Sequence, residues 1–222
     1  MSEDPGRTLE ALSRMLGEPE APISNASRAE IETVHLADSL AGLEFEQLKA
    51  AGRVADIGSG AGLPGLPLAA HLPDSRWHLI ESTGKKARFI ERAVEEMGLE
   101  NVEVHAVRTE ELAASPSTRE QFDLVTARAV GPLGTTVELA SPLLGEGGHL
   151  MVWRGARDPE AEGALETIGE EYFAMGTVEV RPVSPYPGSR ERHIHLLRKN
   201  GPTPEGLPRR PGLAAKRPFG TE

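Results

Sequence analysis

The residue types best suited to chemistry lie in a glycine-rich stretch early in the chain. Asp56 is near the end of an apolar run, and glycines follow it at positions 58, 60 and 62. Glycine permits a tight turn, and its missing side chain lets a ligand lie against the backbone. Gly58 and Gly60 therefore predict a ligand-binding turn between a strand and a helix. The alternative is a turn in which a strand and a helix simply pack closely.

A second acid, Glu81, closes the next apolar stretch, residues 77–80. In a strand–helix–strand unit, an acid about 20 residues beyond the glycine turn accepts the hydroxyls of a ribose. Asp56 and Glu81 would then bracket a cofactor that carries adenosine. The Asp-X-Gly-X-Gly-X-Gly spacing resembles motif I of class I methyltransferases more than the Gly-X-Gly-X-X-Gly of nicotinamide enzymes. This resemblance implies S-adenosylmethionine, with Asp56 or its water shell near the methionine ammonium.

Further candidate site residues follow the later strands. Thr109 and Glu110 come after the third predicted strand, Arg128 after the fourth and Arg154 after the fifth. Because the carboxyl ends of parallel strands face the ligand crevice, we expect Thr109 and Glu110 beside an adenine. The same argument places Arg128 and Arg154 in the catalytic region. An ordinary helix N-terminus explains Thr109 and Glu110 nearly as well, and a salt bridge at the rim is the alternative for Arg128.

The elements that must position these residues alternate between strands and helices, which predicts an α/β fold with a doubly wound sheet. The last two strands are joined by a short turn and predict an antiparallel hairpin at one sheet edge. The predicted strands cover residues 53–57, 76–81, 102–107, 122–127, 149–153, 177–183 and 192–199.

The length of 222 residues favours one domain with appendages. We assign residues 1–50 to an N-terminal helical extension, residues 51–200 to the cofactor-binding domain, and residues 201–222 to a basic C-terminal tail. Proline, glycine and basic residues dominate the tail, so we predict an extended conformation rather than packed structure.

One long helix is predicted before the first strand. Ser27 and Glu30 have the spacing of a capping box, and the helix should continue to about Lys49. His35 and Asp38 share one face of this helix because they are three residues apart. A hydrogen bond on the helix surface is the favoured interpretation of that pair.

Composition narrows the classes of function. The chain has no cysteine, which excludes disulfides and thiolate catalysis, and its seven histidines show no convincing metal spacing. The net charge is −10, yet from Arg190 to Arg217 eight basic residues stand against two acidic ones. This asymmetry permits a phosphate-binding arm on an acidic body, or a solvated tail. No apolar run is long enough to span a bilayer, so we expect a soluble, cytoplasmic protein, and we expect a monomer.

Five segments together resemble one family, the bacterial small-subunit (16S) ribosomal RNA guanine-N7 methyltransferases, also called glucose-inhibited division protein B. The resemblance runs from about His35 to Arg217. The segments are residues 35–40 (HLADSL), 56–65 (DIGSGAGLPG), 81–89 (ESTGKKARF), 126–130 (TARAV) and 191–193 (ERH).

The resemblance implies an S-adenosylmethionine-dependent enzyme that methylates N7 of a guanine in 16S ribosomal RNA, on a seven-stranded methyltransferase sheet. It implies cofactor contacts at Gly58, Leu63, Thr109, Glu110 and Arg128. Ribosomal RNA or the small subunit would be the partner.

For the chemistry, Arg128 or Arg154 could donate to guanine O6 and leave N7 open to the methyl group. The candidates for RNA contact are basic residues near the site and in the tail. They are His35, Lys85, Arg88, Arg192, Arg209, Arg210, Lys216 and Arg217.

Three other functions stay open from the sequence. A class I methyltransferase acting on a small molecule or a protein would keep the glycine turn and make the basic tail incidental. A non-catalytic RNA-binding or ribosome-assembly factor would retain the cofactor as a structural ligand. A nicotinamide oxidoreductase is the least favoured, because the glycine spacing differs.

Overall fold

A single seven-stranded sheet in the order β3-β2-β1-β4-β5-β7-β6 organises the molecule. The computed structural model describes residues 5–23 and 27–219. The first five strands run parallel, and β7 runs antiparallel to both β5 and β6. The strands are β1 (Arg53–Ile57), β2 (Arg76–Ile80), β3 (Val102–His105), β4 (Phe122–Arg128), β5 (Leu144–Arg154), β6 (Met175–Pro182) and β7 (His193–Lys199).

The sheet order and the hairpin at its edge confirm the predicted fold class. Strand β1 lies between β2 and β4, and four of its five residues are buried. Such burial on both faces is expected for parallel strands covered by helices. Val54 packs into the core on one face of the sheet, and its neighbours Ala55 and Ile57 pack into the core on the other.

Helices cover both faces of the sheet. α6 shows the predicted amphipathic pattern, with Phe89 and Ile90 buried, and it ends at Gly98 in the left-handed conformation. The helices are α1 (Pro5–Leu16), α2 (Arg28–Glu30), α3 (Ala37–Leu40), α4 (Glu46–Ala50), α5 (Gly65–His71), α6 (Gly84–Met97), α7 (Thr109–Ala114), α8 (Leu133–Ala140), α9 (Pro159–Phe173) and α10 (Leu213–Lys216). None of the described helices is long and apolar enough to cross a membrane.

The prediction of one long helix before β1 holds from the capping box to Glu44 and is wrong from Phe45 onwards. The capping box of Ser27 and Glu30 is present, and helical turns continue through a π-helical segment, Ile31–Leu36, as far as Glu44. The chain is then extended at Phe45 before α4 begins. Gly42 approaches the sheet so closely that a Cβ atom would lie 2.6 Å from Trp153. Packing against the sheet, with Phe45 fully buried, therefore overrides the local helical pattern.

The prediction of an extended, unpacked tail is also wrong. Leu207 and Ala214 are buried, and residues 213–216 form α10. Lys199, which is fully buried, donates to Thr203 Oγ1 at 2.9 Å and to Ser141 O at 2.6 Å. The C-terminal residues pack against the rest of the domain because several of them make specific hydrogen bonds to it.

Candidate active site

The glycine turn after β1 has the tight geometry that its sequence predicted. Gly58, Gly60 and Gly62 have φ values of 61°, 59° and 81°, in the left-handed region that favours glycine. A Cβ atom on Gly62 would lie 2.3 Å from Leu66 Cδ1, whereas the nearest atom to a Cβ on Gly60 is 3.8 Å away. The turn is thus closed on its helix side and open at Gly60, where a ligand can approach the backbone.

Asp56 lies beneath this turn. Its side chain is 1% exposed, and Oδ1 accepts a hydrogen bond from Thr126 Oγ1 at 2.7 Å. Burial raises the pKa of Asp56 to about 6, and the hydrogen bond from Thr126 opposes that rise. Oδ2 has no hydrogen-bond partner among the described residues and lies against Gly65, at the start of α5. Direct contact between Asp56 and a cofactor stays a prediction.

Glu81 ties the glycine turn to the second strand. Its Oε2 accepts from the Gly60 amide at 3.0 Å, and its Oε1 accepts from the Thr83 amide at 2.7 Å. A carboxylate has about four acceptor positions, so both oxygens retain capacity for the hydroxyls of a ribose. Glu81 therefore holds the turn in place, and its oxygens can still accept hydrogen bonds from ribose hydroxyls, the role predicted from the sequence.

Thr109 and Glu110 begin α7, after a three-residue loop that follows β3, and both are buried. Glu110 Oε1 accepts from the backbone amide of Gly212 at 2.6 Å, a contact that spans 102 residues. The two residues lie at the predicted end of the sheet, and Glu110 in addition joins the C-terminal residues to it.

Arg128 is held by the chain segment that precedes the sheet. One nitrogen, Nη1, donates to Asp38 Oδ2 at 3.1 Å, to His35 O at 3.3 Å and to Ser39 Oγ at 3.3 Å. The Trp153 indole donates to Asp38 O at 2.8 Å and fixes the same segment against β5. The surface hydrogen bond predicted for His35 and Asp38 is therefore replaced by an inward clamp on Arg128.

A cavity of about 240 Å³ opens beside this clamp. Its walls include Asp38, Arg128, Arg154 and Arg192. Val130, which also lines the cavity, would lie 3.1 Å from a Cβ on Gly58, so the cavity adjoins the glycine turn. Three arginines and one carboxylate thus surround a space next to the predicted cofactor turn.

Comparison with known proteins shows the family of this chain. The sequence model of the family described as "rRNA small subunit methyltransferase G" (GidB) matches residues 20–184. The chain belongs to this family. Family membership implies S-adenosylmethionine as the methyl donor and confirms the class of enzyme expected from the glycine turn.

Two relatives of the methyltransferase G family illustrate the similarity. "Ribosomal RNA small subunit methyltransferase G" of Rubrobacter xylanophilus is 43% identical over 198 residues, covering 86% of this chain and 75% of the relative. The protein of the same name from Moorella thermoacetica is 37% identical over 194 residues, covering 86% of this chain and 80% of the relative.

Solved structures support the fold alone. Fibrillarin, a pre-rRNA processing protein of Methanococcus jannaschii, aligns with a TM-score of 0.58 at 19% identity, covering 74% of each chain. A putative O-methyltransferase from Klebsiella pneumoniae aligns with a TM-score of 0.55 at 16% identity, covering 89% of this chain and 90% of that one.

The residues of this methyltransferase G chain fit the cofactor that its family implies. The open side of Gly60 admits a ligand to the backbone, and the Glu81 carboxylate lies directly beside it. The carboxylate of Asp56, buried under the turn, adds negative potential there when it is ionised, which suits a positively charged sulfonium and ammonium. Leu63, 5% exposed, packs in the core beside the turn.

The structure separates the candidate RNA-binding residues into groups. Arg192 lines the cavity, and His35 contributes its carbonyl to the Arg128 clamp. Arg209 forms an ion pair with the buried Glu138, so its guanidinium is not available to bind RNA. The remaining five side chains are exposed: Lys85, Arg88, Arg210, Lys216 and Arg217.

Several residues of the site were missed by reasoning from local pattern. Trp153 and Thr126 read as ordinary strand residues, yet they hold Asp38 and Asp56. The spacing of residues 35–39 was the available signal, since it places polar groups on consecutive turns of a helix. Its partner, Arg128, lies about 90 residues away and cannot be read from that spacing.

Two histidines and a glutamate meet on the outer strands. His78 Nδ1 lies 2.9 Å from His105 Nε2, and Glu103 lies within 3.6 Å of both rings. Arg53 Nε donates to His78 Nε2 at 3.4 Å, so the proton of His78 belongs on Nδ1, facing His105. This hydrogen-bonded chain accounts for the cluster, and the guanidinium of Arg53 disfavours a cation beside it.

We expect the stability of the protein to fall in mild acid. Burial lowers the pKa of His78 and of His195 from 6.5 to about 4. Between these values the unfolded chain binds more protons at both histidines, so the free energy of unfolding decreases as the pH falls from 6.5 towards 4. Asp56 acts in the opposite direction, because its raised pKa makes the folded chain take up one proton first.

Urea unfolding at pH 7.5 and pH 5 measures this effect. A variant carrying His78→Gln and His195→Gln should show a flatter dependence on pH over the same window. Equal stability of the wild-type protein at both pH values would contradict the expectation.

Proposed function

We propose that this chain transfers a methyl group from S-adenosylmethionine to N7 of a guanine in 16S ribosomal RNA. The observation that supports this most directly is the position of Arg128, clamped at the end of β4 beside both the glycine turn and the cavity. We further propose that the enzyme acts in the cytoplasm, as a monomer, on the RNA of the small subunit.

The reaction depends on aligning guanine N7 with the methyl group more than on acid–base catalysis. Guanine N7 has a free lone pair, so no proton must be removed before the methyl group is attacked. When bound, S-adenosylmethionine supplies that methyl group on a positively charged sulfur. Holding the two reactants in line can contribute about 7 kcal/mol or more of the barrier reduction. A rigid pocket is therefore the expected catalytic device.

The cavity offers complementary groups for a guanine. A guanidinium of Arg128 or Arg154 can donate to O6 without covering N7, and Asp38 Oδ2 can accept from the N–H groups of the Watson–Crick edge, next to O6. Arg154 Nη1 is oriented by a hydrogen bond to Gly131 O at 3.0 Å. Arg192 Nη2 is oriented by the Tyr186 hydroxyl at 3.3 Å. These donors are held in place before a base arrives, which is what preorganised stabilisation requires.

A methylation assay with labelled S-adenosylmethionine tests the proposal. Small subunits that lack the modification and extracted ribosomal RNA serve as parallel substrates, and nucleoside mass spectrometry identifies the product. We expect 7-methylguanosine in at least one of them. Cofactor binding without label transfer would favour another methyl acceptor or a non-catalytic assembly factor, and would reject the proposal.

The exposed basic residues of the C-terminal region should govern the salt dependence of RNA binding. Reversing the charge of Arg210, Lys216 and Arg217 to glutamate removes up to three phosphate contacts. Each lost contact should reduce the slope of log K against log salt by about 0.7–0.9.

The matched control for this series is Arg76→Glu. Arg76 is exposed at the start of β2, at the end of the sheet opposite the site. Its slope should equal that of the wild-type protein. If the triple variant kept the wild-type slope, the basic side chains of the C-terminal region would not contact the RNA phosphates.

A further inference from the structure

Residues 207–219, here called the C-terminal segment, run along α7, α8 and α9 and contact the candidate cofactor site. The Gly212 amide donates to Glu110 Oε1 at 2.6 Å, two residues after Arg210. Glu110 is 8% exposed and follows β3 at the sheet end where cofactor residues gather. One end of this segment is therefore joined to a residue expected beside the adenine.

The C-terminal segment is anchored by a buried ion pair. The Arg209 guanidinium donates through Nε and Nη2 to both oxygens of Glu138, whose side chain is 3% exposed. Nη2 also donates to Arg217 O at 2.9 Å, and the Phe219 ring lies 4.0 Å from the guanidinium carbon. Arg209 thus links the beginning of the segment to its end. A bidentate charged pair of this kind has a narrowly defined geometry.

A second contact fixes the segment close to Gly212. Thr135 Oγ1, on α8, donates to Ala214 O at 3.2 Å, and Ala214 is 2% exposed. Anchors therefore lie on both sides of Gly212, at Arg209 and at Ala214. The position of the Gly212 amide is determined by them, and the orientation of the Glu110 carboxylate follows from that amide.

We propose that the C-terminal segment is a positioning element of the adenine site, acting through the Gly212 amide on Glu110. Glu110 Oε1 is held by the Gly212 amide. Glu110 Oε2, to which no described residue donates, is left to accept a hydrogen bond from the exocyclic amine of adenine. The proposal rests on the proposed function, because that function places the adenine beside Glu110. It extends the role of the C-terminal residues from RNA contact to cofactor selection.

Two neighbouring arginines provide a matched test. Arg209→Gln removes the buried anchor, whereas Arg210→Gln removes the same charge from an exposed position. Binding of 5′-methylthioadenosine and of its inosine counterpart, which lacks the exocyclic amine, is measured by calorimetry without RNA. The full-length wild-type chain should prefer the adenosine compound about tenfold, the factor expected for one hydrogen bond to a charged acceptor.

Arg209→Gln should lose most of this preference, and Arg210→Gln should keep it. Should Arg209→Gln fail to fold, Phe219→Ala loosens the same anchor without exposing Glu138 and should give the same loss. A folded Arg209→Gln or Phe219→Ala variant with the wild-type preference would overturn the proposal, as would a wild-type protein with no preference.

This calorimetry and the methylation assay together separate this proposal from the proposed function. A failure of the positioning role leaves S-adenosylmethionine binding and RNA methylation by the wild-type protein unchanged. A failure of the proposed function appears instead as absent methyl transfer to RNA, with nucleoside selection unaffected.

Discussion

Arg128→Ala should reduce the single-turnover rate of methyl transfer about 100- to 1,000-fold at saturating cofactor and RNA, the range seen when one preorganised donor is removed. The guanidinium is clamped by His35 O, Asp38 Oδ2 and Ser39 Oγ, and it lines the cavity beside the glycine turn. Its loss removes the proposed donor for the base and the group that orders the cavity wall.

Stability must be measured alongside the rate. The side chains of Arg128 and Asp38 are 18% and 10% exposed, so the alanine variant leaves a largely buried carboxylate without its partner. Breaking a buried pair in this way costs about 3–5 kcal/mol. Asp38→Asn in the Arg128→Ala background removes the unpaired charge and should recover part of the stability, but not the rate.

Arg53→Ala is the control for loss of a half-buried arginine elsewhere. Arg53 lies over the Phe122 ring at the amino end of β1, away from the strand ends that form the site. Its single-turnover rate should match the wild-type rate. An Arg128→Ala variant that is folded and transfers at the wild-type rate would exclude Arg128 from the catalytic machinery.

The parts of the site that follow single strands could be predicted from the sequence. Gly58, Glu81, Thr109 and Arg128 each stand at or just after the end of an apolar run, and parallel strands bring such ends to one edge. The left-handed conformations of the turn could also be predicted, because glycine is the residue that adopts them without strain. In both cases the signal is local in sequence.

The contacts that complete the site depend on residues far apart in the chain. Arg128 and Asp38 are 90 residues apart, and Gly212 and Glu110 are 102 apart. Local composition around residues 200–219 is typical of an extended tail, and nothing in it reveals that Arg209 pairs with Glu138. Pairing of that kind is decided by which surfaces the fold brings together.

Deletion of residues 201–222 would therefore be a poor test of RNA binding. The deletion removes exposed basic residues such as Arg210. It also removes the Gly212 contact to Glu110 and leaves Glu138 unpaired. A loss of activity could then arise in the cofactor site or in the core. Single substitutions at exposed positions isolate the RNA contribution.

Gly62→Ala should weaken S-adenosylmethionine binding more than tenfold and lower the free energy of unfolding by about 2–4 kcal/mol. The φ of 81° is unfavourable for any residue with a Cβ, and the new atom would lie 2.3 Å from Leu66 Cδ1 and 2.7 Å from its Cγ. Leu66 is fully buried, so it cannot move aside freely. The turn must shift, and with it the Gly60 amide that Glu81 holds.

Gly163→Ala separates this effect from the general cost of a glycine replacement. Gly163 is exposed within α9, and a Cβ there meets nothing within 4 Å. An alanine at a helix interior should raise the free energy of unfolding by about 0.5–1 kcal/mol and leave cofactor affinity unchanged. Calorimetric titration and urea unfolding measure both quantities. If Gly62→Ala bound the cofactor as tightly as Gly163→Ala does, the conformation of the turn would not determine cofactor binding, and the site would have to be sought elsewhere on the sheet edge.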